Sequence, residues 1–131
     1  MLGKNDLLDH LFEVSPDFQK FISEELDFFK DEKLYHVILG CYAHYLFEKY
    51  KNNDLDYIKI GFDKLEFLLV NGDNEVKNII TLGFFESFQN ILLGDKIDLG
   101  IIDEFLLPES KKAWHDIIEF WENKIKGKTK K

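Results

Sequence analysis

Arginine is absent from this sequence, and lysine supplies all 17 of its basic residues. Acidic residues number 25, so the formal net charge is −8. Arginine is the residue whose planar guanidinium group grips phosphates and carboxylates with two parallel hydrogen bonds. An acidic chain without it is poorly suited to nucleic acid or to an anionic membrane surface. The charge favours a basic protein partner, although acidity that serves only solubility is equally expected.

Cysteine and long hydrophobic runs are also scarce. The single Cys41 excludes an intrachain disulfide and a multi-cysteine metal cluster. The N-terminal residues contain no apolar signal region. The longest apolar stretch, residues 37–47, contains His44 and is about half the length that a transmembrane helix requires. We therefore expect a cytoplasmic protein without a membrane partner.

Only two prolines and eight glycines interrupt the chain, which leaves room for long helices. Apolar residues recur at helical spacing, and no stretch alternates convincingly with period two. The pattern predicts about six or seven helices, at residues 6–14, 16–29, 34–50, 55–70, 74–93, 98–107 and 110–126.

The predicted fold class is therefore all-α. The helical hairpins can stack as an armadillo-like or HEAT-like array, or form a compact irregular bundle. Residues 1–126 are predicted to form a single helical domain, and residues 127–131 a flexible basic tail.

Local signals mark several helix ends. Ser15 before a proline indicates a helix start, and Asp54 is a candidate N-cap. Gly72 is suited to a left-handed helix stop, and Asp73 to the next cap. Gly83, in the middle of a predicted helix, costs stability but permits close approach of a neighbouring helix.

Aromatic residues are numerous, with 13 Phe, 5 Tyr and 2 Trp. Most fall on predicted buried stripes, as Phe18 and Phe21 do in the second helix. Five lie off these stripes and are candidates either for surface recognition or for packing against the next helix: Phe28, Tyr57, Phe67, Phe85 and Phe120.

The sequence contains no recognisable catalytic or metal-binding motif. His36 and His44 lie two turns apart with Cys41 and Glu48 nearby, but no Glu-x-x-His pair occurs. A Cys41–His44 nucleophilic pair lacks an oxyanion loop, and there is no glycine-rich phosphate loop. We therefore expect no enzyme, no metal and no cofactor, with an enzyme built around His36 and His44 as the weakest alternative.

The C-terminal half contains an ordered set of motifs. Residues 83–92 (GFFESFQNIL) are followed by residues 105–110 (FLLPES) and residues 114–121 (WHDIIEFW). This order resembles a family of small bacterial all-helical proteins, over roughly residues 54–123. The chain departs from the pattern at Leu107, where members usually have glycine. Such proteins look like immunity partners of polymorphic toxins, the kind delivered by contact-dependent growth inhibition.

The resemblance implies that the chain binds a cognate toxin domain, commonly a nuclease with a cationic cleft, and occludes it. An acidic helical surface suits this role, because charge speeds capture and buried aromatic anchors slow release. We expect a monomer in a one-to-one complex. The alternative is a helical-repeat adaptor or scaffold that binds a peptide or protein subunit. The candidate partner-binding residues lie near helix ends and turns: Asp54, Asp56, Tyr57, Asp73, Glu75, Asp95 and Asp98.

Overall fold

The computed structural model describes residues 1–26 and 34–129, with side chains described at 1–22 and 34–124. Within these ranges the chain forms seven α-helices, a π-helical segment and a 3₁₀ helix. Their bounds are α1 Lys4–Val14, α2 Pro16–Leu26, α3 Leu34–Lys51, α4 Leu55–Asn71, α5 Asn74–Asn78, the π segment Ile79–Phe85, α6 Glu86–Gly94, the 3₁₀ helix Leu99–Phe105 and α7 Pro108–Thr129. An isolated bridge between Leu2 and Gly72 is the only β pairing in this part of the chain. The all-α prediction is confirmed.

Helix α3 lies at the centre of the fold. Its apolar residues are distributed around most of its circumference, so it can bury side chains against several partners at once. It contacts α2, α4, the π segment and α6. Its buried residues are Ile38, Leu39, Tyr42, Ala43, Leu46 and Phe47. The prediction that this helix is central is confirmed.

The helices pack as a compact bundle. Contacts join α1 to α4 and α5, and α4 to α7, so elements distant in sequence touch directly. In a repeat array, each hairpin would contact only its neighbours. The bundle alternative of the prediction therefore describes the structure.

Residues 74–94 form one continuous helical rod, because the backbone stays in the right-handed α region at both ends of the π segment. The π turns were not predicted. A Cβ added at Gly83 would lie 3.0 Å from Leu39 Cβ and 3.2 Å from the backbone of His36. The absence of a side chain at Gly83 thus lets the rod approach the backbone of α3, as predicted.

Two local predictions were wrong. Phe21 is 66% exposed, whereas Phe18 and Ile22 are buried, so α2 buries a narrower stripe than predicted. Gly72 was predicted to adopt the left-handed conformation, but its φ is −82°. Close packing favours glycine at this position instead, because a Cβ there would lie 2.5 Å from Val76 Cγ1. Phe85 was a candidate for surface recognition or for packing against another helix, and the packing alternative is confirmed. It is fully buried, because α7 covers the side of the rod on which it lies.

The sixth predicted helix is a 3₁₀ helix, and α7 already begins at Pro108. Proline is well tolerated at a first helical position, where the backbone N–H would have no intrahelical acceptor. Residues 30–33, between the second and third predicted helices, and Phe28 lie outside the described residues. Helix α7 continues to Thr129, and residues 130–131 lie outside the description, so the flexible tail remains a prediction.

Candidate functional site

A groove of about 320 Å³ runs along the surface between α2 and α3. The first two turns of α2 and the end of α3 line it with charged and aromatic side chains. The lining residues are Asp17, Phe21, His44, Tyr45, Glu48, Lys49 and Asn52. We call it the α2–α3 groove.

Asp17 is the centre of a charged cluster on one wall of this groove. The Tyr45 hydroxyl donates a hydrogen bond to Asp17 Oδ1 at 2.5 Å. The Lys49 ammonium lies 3.2 Å from Asp17 Oδ2. Tyr45 and Lys49 are four residues apart in α3 and therefore occupy one face of the helix. Each carboxylate oxygen of Asp17 thus has its own partner from α3.

The cluster shifts the ionisation of its members. Partial burial opposes ionisation of Asp17, but the hydrogen bonds from Tyr45 and Lys49 and the charge of Lys49 together lower its pKa. Burial, followed by the hydrogen bond to Asp17, raises the pKa of Tyr45. At neutral pH the phenol therefore keeps its proton and donates it to an ionised carboxylate.

Tyr57 extends the cluster onto α4. The Lys49 ammonium lies 4.4 Å from the centroid of the Tyr57 ring and 5.4 Å from that of the Tyr45 ring. The beginnings of α2 and α4 and the end of α3 therefore meet around one cation. Tyr57 remains 45% exposed.

Two predicted acids accompany Tyr57. Residues 53–57 line a shallow hollow that includes Asp54 and Asp56, and both carboxylates are exposed. Asp54 holds the N-cap position of α4, as predicted, although its side chain makes no capping hydrogen bond. Asp54, Asp56 and Tyr57 thus form one surface beside the α2–α3 groove.

The other predicted residues are divided between two ends of the bundle. Asp73 and Glu75 lie at the far end of α4, about 25 Å along the helix axis from Asp54. Asp73 is half-buried and accepts a hydrogen bond from Val76 N–H at 2.9 Å, which confirms it as a cap. Glu75 is exposed and lies 4.0 Å from Lys4.

Asp95 and Asp98 follow α6, at the end of the rod opposite the Asp73 turn. Asp95 is exposed, and Asp98 accepts a hydrogen bond from Gly100 N–H at 3.3 Å. About 30 Å of the rod therefore separates Asp95 and Asp98 from the Asp73 turn. The predicted residues therefore do not form a single site.

The sequence prediction missed Asp17, Tyr45 and Lys49 as site residues. The spacing of Tyr45 and Lys49 gave a usable signal, since it places a ring and a cation on one helix face. Asp17 lies in the first turn of α2. Its approach to α3 depends on how α2 packs, which local patterns do not contain.

A second groove, of about 380 Å³, lies between α6, the 3₁₀ helix and α7. Aliphatic side chains and an indole contribute to its lining, and Leu93 and Trp121 remain exposed there. Its lining residues are Gln89, Asn90, Leu93, Leu99, Ile118, Trp121 and Glu122. We call it the α6–α7 groove.

The histidines lie in separate surroundings. His44 lines the α2–α3 groove, whereas the backbone of His36 packs against Gly83. His10 lies beside Lys64 and Phe67, and His115 lies 3.4 Å from Asp103. No group of three or more metal-ligating side chains is positioned to hold a metal ion within residues 1–26 and 34–129. No helix in those ranges is long and apolar enough to span a membrane.

The fold and surface define a small all-α bundle with a mixed acidic and aromatic groove. The chain belongs to a protein family described as a domain of unknown function (DUF7674), whose model matches residues 6–122. No curated protein and no solved structure matches the chain.

Proposed function

We propose that this chain is an immunity protein that neutralises a basic toxin domain, a nuclease, by covering its cleft. The observation that supports this proposal is the surface at which α2, α3 and α4 meet. There, exposed Phe21 and Tyr57 lie among the carboxylates of Asp17, Glu48 and Asp56. No bond is made or broken in this mechanism.

Such a surface has the two properties that a blocking protein needs. Aromatic side chains bury a large area at low conformational cost and act as anchors at the centre of an interface. Carboxylates around them attract a cationic partner and orient it during encounter. The net charge of −8 extends this attraction beyond the contact surface.

The direct test is co-expression of the chain with the protein encoded immediately upstream, with cell survival and co-purification as readouts. We expect the neighbour to be toxic alone, and survival to accompany a stable one-to-one complex. A harmless neighbour that forms no complex would contradict the proposal.

Two matched charge reversals locate the interface. Asp56 and Glu75 are both exposed acids in the first turn of a helix, at opposite ends of α4. We expect Asp56→Lys to weaken the complex at least tenfold, since it places a like charge against a basic surface. Glu75→Lys, which changes the net charge equally, should have a much smaller effect. Equal losses would show that total charge matters and the location does not.

The α6–α7 groove favours a second candidate, an adaptor that binds an apolar peptide segment. Its lining includes Leu93, Leu99, Ile118 and Trp121. Peptide binding in this groove would be sensitive to Trp121→Ala and insensitive to Asp56→Lys. Pull-down from the native host that recovered a cellular complex and no toxin would favour this candidate.

A further inference from the structure

A cation already occupies the junction of α2, α3 and α4. The Lys49 ammonium lies 3.2 Å from Asp17 Oδ2, 4.4 Å from the Tyr57 ring centroid and 5.4 Å from the Tyr45 ring centroid. A carboxylate and two electron-rich ring faces are the groups with which proteins recognise ammonium and guanidinium ions. We call Asp17, Tyr45 and Tyr57 the cation site.

The site is held in place by contacts that do not involve Lys49. The Tyr45 hydroxyl fixes Asp17 Oδ1, which leaves Oδ2 to face the cation. The Tyr45 ring stacks on Tyr42 with centroids 5.6 Å apart, and Tyr42 is fully buried. The carboxylate and one ring would therefore keep their positions if the ammonium moved away.

Lys49 itself is not enclosed. Its side chain is 22% exposed, and both Lys49 and Asp17 line the open α2–α3 groove. A lysine has a long, flexible stem and strongly hydrated head group, so it can leave for solvent at modest cost. A partner's basic side chain can enter along the groove beside Phe21.

We propose that Asp17, Tyr45 and Tyr57 receive a basic side chain of the protein partner, and that Lys49 is an internal occupant which this side chain displaces. The inference rests on the proposed function, and it names the contact by which the basic partner is recognised. Lys49 lowers the affinity by competition and keeps the carboxylate paired in the free protein.

The test uses methylguanidinium as a probe, so it does not depend on knowing the partner. Lys49→Met removes the internal ammonium and keeps an unbranched apolar stem. Titration is followed by the ring resonances of Tyr45 and Tyr57 in nuclear magnetic resonance spectra. We expect saturable shifts in this variant, with an affinity about tenfold higher than in the unaltered protein.

Lys51→Met is the matched control. Lys51 lies two residues away, 3.0 Å from the Glu48 carboxylate and 5.2 Å from the Phe47 ring centroid, but it has no part in the cation site. It should leave the titration unchanged. Adding Tyr57→Ala or Asp17→Asn to Lys49→Met should lower the affinity for the probe at least tenfold, with the resonances of buried Tyr42 reporting that the fold is intact.

Two results would overturn the proposed cation site. One is the absence of saturable shifts when Lys49→Met is titrated with methylguanidinium. The other is an affinity for this probe that stays the same when Tyr57→Ala is added to Lys49→Met. The co-expression experiment separates this failure from failure of the proposed function. If the chain neutralises its neighbour while the cation site binds no probe, the site assignment alone is wrong. If the site binds the probe but no neighbour is neutralised, the immunity function alone is wrong.

Discussion

The carboxylate of Glu66 in α4 accepts hydrogen bonds from both the backbone N–H and the hydroxyl of Ser110, at 2.8 and 2.9 Å. Its second oxygen accepts the N–H of Glu109 at 3.1 Å. These N–H groups lie in the first turn of α7, where no intrahelical acceptor exists. The negative charge also faces the positive end of the α7 dipole. A side chain from another helix thus caps α7 and fixes it against α4.

Loss of this cap should destabilise the bundle. We expect Glu66→Ala to lower the free energy of unfolding by about 2 kcal/mol, because it removes a charge-assisted cap from a helix start. Glu66→Gln should cost about half as much, since one amide oxygen can still accept. Urea denaturation followed by circular dichroism gives both values.

Asp63→Ala is the control for this comparison. Asp63 belongs to the same helix and pairs with exposed Lys59, at 3.0 Å. An exposed pair of this kind contributes about 0.3–0.5 kcal/mol. If Asp63→Ala and Glu66→Ala cost the same, the capping account is wrong.

The features of the fold that local patterns determine were predictable from the sequence. Helical spacing gave the positions of α3, α4 and the rod, and Asp73 was recognised as a cap because it follows a glycine turn. These features depend on residues a few positions apart. The contact between Glu66 and Ser110 joins residues 44 apart in sequence, and no local pattern contains it.

Burial and site geometry were less predictable for the same reason. Phe21 and Phe85 differ in exposure only because neighbouring helices cover one and leave the other open. The acids of the predicted site were chosen by their nearness to turns, and the fold then separated Asp73 from Asp54. The hydrogen bond between Tyr45 and Asp17 likewise depends on how α2 packs on α3.

Two glycines give a sharp test of close packing. A Cβ at Gly72 would lie 2.5 Å from Val76 Cγ1 and 2.6 Å from the Leu68 carbonyl oxygen, whereas a Cβ at Gly94 would meet nothing within 4 Å. We expect Gly72→Ala to lower the free energy of unfolding by about 2 kcal/mol through overpacking. Gly94→Ala should raise it by up to about 1 kcal/mol, since alanine is the better helix former. Thermal denaturation of the two variants measures these changes in stability. If Gly72→Ala left the stability unchanged, the packing argument would be wrong.

The turn after α6 contains a strained residue. Lys96 has φ 59°, in the left-handed region that costs a side chain with a Cβ about 1 kcal/mol. We expect Lys96→Gly to stabilise the protein by about 0.5–1 kcal/mol. Asn53 has φ 63° in the turn between α3 and α4, but asparagine tolerates this region, so Asn53→Gly should gain less. Equal gains, or a loss at Lys96, would count against strain as the cause.

We expect the ionisation of Tyr42 to lower the free energy of unfolding at alkaline pH. Its hydroxyl is 2.9 Å from Ser15 Oγ, and burial raises its pKa to about 12 from the usual 10.0. A raised pKa means that the folded state favours the neutral phenol. The stabilisation is complete below pH 10 and is lost as the pH rises through the folded value, because the unfolded chain releases its proton first.

The phenylalanine variant isolates this effect from other titrating groups. Tyr42→Phe loses the hydrogen bond to Ser15 and should be less stable than the unaltered protein at pH 9 by about 1 kcal/mol. Between pH 9 and 11 that difference should shrink by about 1 kcal/mol, since only the unaltered protein loses the contribution of the neutral phenol. The midpoints of urea denaturation of both proteins at pH 9, 10 and 11 measure this change in the stability difference. Parallel stability curves for the two proteins over this range would mean that Tyr42 ionises as readily in the folded chain as in the unfolded one.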